Sequence, residues 1–155
     1  MKDRAQVAII GAGIVGCSVA YHLARLGWRD VVVIDEGPLF ETGGSTSQAP
    51  GGVFSINFSQ MMTRFASYTV DFYSQFANDG LPAFYPVGSM EVAWTPERCT
   101  DLKRKANAAR SWGVETELLD PSEAQQKIPL LTDRILGALL VPTDGIARAV
   151  RAAAS

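Results

Sequence analysis

At 155 residues the chain is long enough for one domain with a real core. Hydrophobic residues make up 47% and charged residues 19%, a globular rather than a disordered composition. The formal charge of −2 argues against a nucleic-acid or anionic-membrane partner, both of which need a basic footprint.

Two further exclusions come from rare residues. His22 is the sole histidine, so no metal cluster with several His ligands can be built within the chain. Cys17 and Cys99 lie far apart in no CxxC pattern, which gives neither a disulfide framework nor a metal site and suits a reducing cytoplasm. The run Lys103-Arg104-Lys105 reads as the solvated face of a helix. No segment has the apolar length needed to span a bilayer. The opening stretch ends in Ile14-Val15-Gly16-Cys17, like a lipoprotein cleavage box, but Asp3 and two interrupting glycines count against an export signal.

Ala5 to Ile10 is an apolar run of strand length, followed by Gly11-Ala12-Gly13-Ile14-Val15-Gly16. Val15, Val19, Leu23 and Leu26 then recur at helical spacing, and Gly27 stops that helix. Val31 to Ile34 is a second buried-type strand ending in Asp35-Glu36. Each part has a physical task in holding a dinucleotide. Gly11 permits the turn out of the strand, Gly13 admits a pyrophosphate close to the backbone, and Gly16 lets the helix pack on the sheet. Free N–H groups around Ile14 and Val15 supply partial positive charge for phosphates. Asp35, nineteen residues after Gly16, ends the second strand, where a carboxylate binds ribose hydroxyls. The GxGxxG motif thus sits in its full strand–turn–helix–strand context, and the first forty residues bind an ADP-containing dinucleotide.

That motif does not separate NAD from FAD. A simple NAD domain would continue with another helix and strand. Instead residues 43–52 read GGSTSQAPGG, with hydroxyls at Ser45, Thr46 and Ser47 and glycines at Gly44, Gly51 and Gly52. These offer donors to an anion without bulk. An amphipathic helix follows, N-capped by Asn57 or Ser59, and its stripe Met61, Phe65, Tyr68, Phe72 and Phe76 is expected in the core. Further on, a strand over Gly88 to Trp94 precedes a helix that Thr95-Pro96 starts and Gly113 ends. Cys99, Leu102, Ala106 and Ala109 mark its buried face. Asp120 and Glu123 form a capping box for a short helix, Ile135 to Val141 is a strand, and Pro142-Thr143-Asp144-Gly145 turns into a last helix. Glu91, Glu115, Glu117 and Asp144 are expected on solvated surface.

The stretches IIGAGIVG, VVVIDEGP, GGSTSQAPGGVFSINFS, GSMEVAWT, DLKRK and LLVPTDGIARA resemble the N-terminal part of one flavoenzyme group. It comprises the dimethylglycine oxidases, dimethylglycine dehydrogenases and sarcosine dehydrogenases, within the D-amino-acid-oxidase-like FAD oxidoreductases. The resemblance runs almost from end to end of the chain. It implies FAD, with the pyrophosphate over Gly11 to Gly16, the ribose at Asp35-Glu36, and the 43–52 loop reaching toward the isoalloxazine ring. At Gln48 the group typically carries the histidine that attaches covalently to the flavin. Glutamine cannot form that bond, so the expectation is non-covalent FAD, with Gln48 hydrogen-bonding at the ring edge.

The resemblance further implies an α/β fold: the N-terminal portion of a Rossmann-like FAD-binding domain, then the start of a mixed α+β substrate domain, incomplete as a fold. Residues 1–58 would hold the first βαβ unit and flavin loop, 59–141 the start of the substrate domain, and 142–155 a return segment. Catalytic residues and any tetrahydrofolate site would lie beyond Ser155, leaving this length inactive by itself. The implied activity is oxidation of N-methyl amines such as dimethylglycine or sarcosine by hydride transfer to the flavin. Two alternatives stand beside it. One is a non-catalytic relative resembling the regulatory subunit of pyruvate dehydrogenase phosphatase, and the other is a plain NAD-binding domain.

Overall fold

The computed structural model describes residues 4–38, 44–57 and 59–154. Gly43, where the loop begins, and Asp3, used above against an export signal, lie outside the described residues. In chain order the first elements are β1 (Val7–Ile10), α1 (Ile14–Arg25), β2 (Val31–Ile34), α2 (Ser45–Gln48), β3 (Gly52–Val53) and α3 (Gln60–Tyr73). The short strands β4 (Ala77–Asn78), β5 (Leu81–Pro82) and β6 (Phe84–Tyr85) follow, then β7 (Ser89–Ala93), α4 (Pro96–Ser111), β8 (Glu117–Leu119) and α5 (Pro121–Lys127). The last are β9 (Gly137–Val141), β10 (Gly145–Ala147) and α6 (Ala149–Ala154). The result is a mixed α/β fold in two compact units.

The first unit contains the described residues up to 51, residues 76–83 and residues from 147 on. Its sheet is β1 and β2 in parallel, with Val7 opposite Val31 and Ile10 opposite Ile34. A parallel pair needs a crossover, and α1 supplies it. Contrary to expectation, no residue of α1 is buried, and Val15, Val19 and Leu26 of its apolar face are exposed. Residues 76–83 form a hairpin of β4 and β5, its turn made by Asp79 and Gly80, both at positive φ. Phe76 meets the Tyr21 ring edge-on, centroids 5.7 Å apart.

The second unit, residues 52–75 and 84–146, holds most of the buried apolar side chains. Here β7, β9 and β8 form an antiparallel sheet with β9 in the middle. Leu102, Ala106 and Ala109 of α4 pack with Ala93, Leu139 and Val141 of the sheet, and half-buried Cys99 joins them, as the spacing predicts. Small alanines let the helix lie close to the strands. Thr95 caps α4 by accepting the Arg98 N–H at 3.2 Å, and Gly113 ends it at φ +87°. Leu119, Ala124, Ile135 and Ala138 form a second cluster. The capping box of α5 is present in both directions, Asp120 with Glu123.

Four expectations require correction. Ser59 caps α3, accepting the Met62 N–H at 3.2 Å, but the buried residues of that helix are Thr63 and Val70. Met61, Phe65 and Tyr68 lie on the opposite side and are exposed, Phe65 by 60%; Phe76 lies beyond the helix. Spacing shows which residues share a face, and the Thr63 hydroxyl, accepting the Asn57 N–H at 3.1 Å, decides which face turns inward. Strand β9 starts at Gly137 rather than Ile135, because the Leu136 N–H donates to the Ala93 carbonyl instead of continuing the ladder. The turn after Pro142 enters β10, paired with β3 and β6, before the last helix begins. Finally, Asp144 is buried, only 2% exposed. Glu91 is half-buried between Arg98 and Lys105, and Glu117 pairs with Lys127 at 3.6 Å.

Candidate dinucleotide site

At the carboxyl ends of β1 and β2 the first unit opens into a cavity of about 470 Å³. Gly11, Gly13, Asp35, Glu36, Gly44, Ser45, Thr46 and Ser47 all line it, with Ile10, Ala12 and Ile34. Three sequence stretches, residues 10–13, 34–36 and 44–47, thereby share one concavity. Of the other sequence-predicted site residues, Ile14, Val15, Gly16, Gln48, Gly51 and Gly52 do not line it.

The turn out of β1 is fixed by backbone geometry. Gly11 adopts φ +97°, which side-chain-bearing residues disfavour, and its N–H donates to the Ile34 carbonyl at 2.7 Å. A Cβ on Gly16 would fall 1.9 Å from the Gly11 carbonyl oxygen, so the start of α1 can approach the turn only with glycine there. The Asp35 carboxylate closes the same turn from β2. It accepts the Ala12 N–H at 2.6 Å and the Glu36 N–H at 2.9 Å. The Ala12 bond is the main cause that holds the Asp35 pKa below its ordinary value. Cys17 donates to the Ala12 carbonyl at 3.2 Å, and burial, helped by the Asp35 charge, raises its pKa. Cys17 is therefore a protonated packing residue rather than a reactive thiolate.

The loop completes the helix N-terminus. Gly13 is the N-cap of α1 and has no side chain to cap with, so Thr46 does it from the loop: its Oγ1 accepts the Ile14 N–H at 2.9 Å. Contrary to the sequence expectation, the Ile14 N–H is therefore not free for phosphate. A Cβ on Gly13 would meet Thr46 Oγ1 at 2.9 Å, so glycine at 13 and threonine at 46 fit as a pair. The loop folds into the single turn α2, where Ser47 N–H and Oγ both bond to the Gly44 carbonyl. Gln48 ends that turn and is exposed. Neither the Asp35 lock nor the Thr46 cap is visible in spacing alone, because both bonds join residues distant in sequence.

The chemistry of this donor set suits an ADP moiety. The first intrahelical bond of α1 runs from Cys17 N–H to Gly13, so the N–H groups before it fall outside the helix ladder, and no acidic residue sits in the first turn to oppose an anion. Open space lies over the Cβ positions of Gly11 and Gly44, where phosphate oxygens can approach the backbone. Glu36 is exposed on the rim of the same cavity.

The profile of the FAD-dependent oxidoreductases matches residues 6–155. The chain belongs to that family. This FAD-dependent oxidoreductase chain is 34% identical over 147 residues to the mitochondrial dimethylglycine dehydrogenase of Rattus norvegicus, covering 93% of the chain and 17% of that protein. It is also 34% identical over 149 residues to the mitochondrial pyruvate dehydrogenase phosphatase regulatory subunit of Mus musculus, covering 94% of the chain and 17% of that protein. The crystal structure of L-proline dehydrogenase from P. horikoshii superimposes with a TM-score of 0.84 at 29% identity, covering 99% of this chain and 41% of that one. The chain thus spans about a sixth of the length of the two curated relatives.

Proposed function

We propose that the chain forms the dinucleotide-binding entry of an oxidoreductase that holds FAD non-covalently and oxidises an N-methyl amine of the dimethylglycine or sarcosine type. The observation that carries this reading is the shared cavity. It joins the Gly11–Gly13 turn, the Asp35-Glu36 carboxylates and the hydroxyl-bearing loop Gly44–Ser47 in one place. The α1 N-terminus would hold the pyrophosphate, Glu36 the ribose, and the Ser45 and Thr46 hydroxyls the remaining phosphate oxygens. Bound FAD supplies the two-electron acceptor for a hydride leaving the carbon next to nitrogen. Gln48 has no nucleophile to offer, which supports non-covalent attachment.

The test is the visible spectrum of the protein from its complete reading frame, repeated on supernatant and pellet after acid precipitation. Yellow colour in the supernatant is expected. Yellow in the pellet would mean that another residue links the flavin, and a colourless protein that takes up nicotinamide dinucleotide would overturn the flavin reading.

A second reading has its own support, since identity to the phosphatase regulatory subunit equals that to the dehydrogenase. Anaerobic mixing separates the two. Bleaching of the flavin by dimethylglycine or sarcosine supports the enzyme, and stable colour with every N-methyl amine tried supports the regulator. Residence in the cytoplasm and capture of the one-carbon product by tetrahydrofolate belong to the same proposal.

A further inference from the structure

The Pro142-Thr143-Asp144-Gly145 turn has had no functional part so far, yet it carries one of the most buried charged groups of the second unit. Asp144 Oδ1 accepts the Ser55 N–H at 2.7 Å across 89 residues, and Oδ2 accepts the Ser89 hydroxyl at 2.5 Å. Its own carbonyl accepts the Gly88 N–H at 2.8 Å. From there residues 144–147 run antiparallel to residues 55–51. Gly145 faces Val53, Ile146 faces Gly52, and the Ala147 N–H donates to the Gly51 carbonyl at 2.8 Å. Gly145 is seated so tightly that a Cβ would lie 2.1 Å from the Tyr85 carbonyl oxygen.

Burying a carboxylate is costly unless donors satisfy it, and both donors here come from segments that must be held together. A ladder as short as β3 with β10 has little of its own to set register, and a slip of one residue would turn every side chain to the other face. A fixed acceptor at one end removes that freedom. We propose that Asp144 is a positioning residue for the exit of the flavin loop. Its carboxylate clamps Ser55 and thereby registers Gly52 and Val53 against β10. The clamp rests on the flavin reading only for its functional consequence, since the hydrogen bonds stand without it.

The experiment compares Asp144→Leu, which keeps bulk and accepts nothing, with Leu102→Ala, which destabilises the same unit from its core. In the protein from the complete reading frame, two quantities are measured at urea concentrations that match overall stability. They are the FAD dissociation constant by flavin fluorescence and amide exchange over residues 51–55. Asp144→Leu should weaken FAD at least tenfold and speed exchange at 52–55, while Leu102→Ala stays within twofold of wild type on both. Equal effects from the two variants would show that Asp144 acts only through general stability, which overturns the clamp. Asp144→Asn keeps an acceptor for Ser55 and nearly the same shape, and decides the matter where Asp144→Leu does not fold. FAD held within threefold supports the clamp, and a tenfold loss overturns it. Should the wild type take up no FAD, the flavin reading falls by itself. Exchange at 51–55 then decides, with unchanged protection in the variants refuting the clamp.

Discussion

The two compact units are held by different forces. In the first, α1 buries no side chain, and the order of the turn after β1 comes from single hydrogen bonds: Asp35 to Ala12 and Thr46 to Ile14. Three glycines, Gly11, Gly13 and Gly16, are each there because of what a Cβ would do to backbone geometry or to a neighbour. In the second unit, apolar clusters on β9 bury Leu102, Leu139, Val141 and Ile135 almost completely. One region is built to leave polar groups facing a cavity, and the other to exclude water. A binding site of backbone donors therefore rests on a few directional contacts, each exposed to loss by one substitution. A packed sheet instead spreads its stability over many weak ones.

The contrast is broken most severely at Gly16. Gly16→Ala places a methyl group against the Gly11 carbonyl and should abolish retention of FAD through gel filtration. Urea unfolding of the second unit, followed by the fluorescence of its Trp94 and Trp112 with Trp28 of the first unit replaced by Phe, should stay where it is; if it shifts as well, the two units are not held independently. Next in size is Leu102→Ala, expected to cost about 2–5 kcal/mol in the second unit by cavity formation, read from the same unfolding curve. A loss under about 1 kcal/mol would show that this core is looser than its burial suggests. Thr46→Val removes the cap of α1 at nearly constant shape. The expected cost is about 1 kcal/mol, seen as faster exchange of the Ile14 amide, with Thr46→Ser restoring protection.

The smallest effect concerns acid. The folded Asp35 pKa lies below its ordinary value of 3.8, chiefly through the Ala12 N–H. Its contribution to turn order is complete above that ordinary value and is lost as pH falls through the lowered folded one, because the unfolded chain takes up the proton first. Protection of the Ala12 amide, measured as exchange relative to its intrinsic rate at each pH, should fall over that range in wild type and stay constant in Asp35→Asn.

How much of this was legible in the sequence follows the same division. The βαβ unit was, because its glycines and the terminal acid are local and each spacing has one mechanical meaning. So was α4, whose buried Leu102, Ala106 and Ala109 meet a continuous sheet. The buried face of α3 is not legible, since aromatic residues at helical spacing are equally consistent with an exposed stripe, and the Thr63 hydroxyl lies on the face that is buried. The burial of Asp144 is illegible for a related reason. Composition places carboxylates outside, and only the fold brings Ser55 and Ser89 to it. What escapes the sequence is a particular hydrogen bond in each case: most join residues far apart along the chain, while the Asn57–Thr63 bond spans only six residues.

The pairing of β3 with β10 also has a consequence during synthesis. Ser55 emerges 89 residues before Asp144, so at about 5–20 residues per second the first strand waits roughly 4–18 s for its partner. Throughout that interval the glycine-rich loop has already left the ribosome, while the strand that will anchor its far end does not yet exist. Closing so wide a span is entropically slow compared with local turns and helices, which form within microseconds. The loop is thus among the last parts of the chain to settle. A nascent chain paused between Ser55 and Gly145 displays Gly52 and Val53 on an unpaired edge.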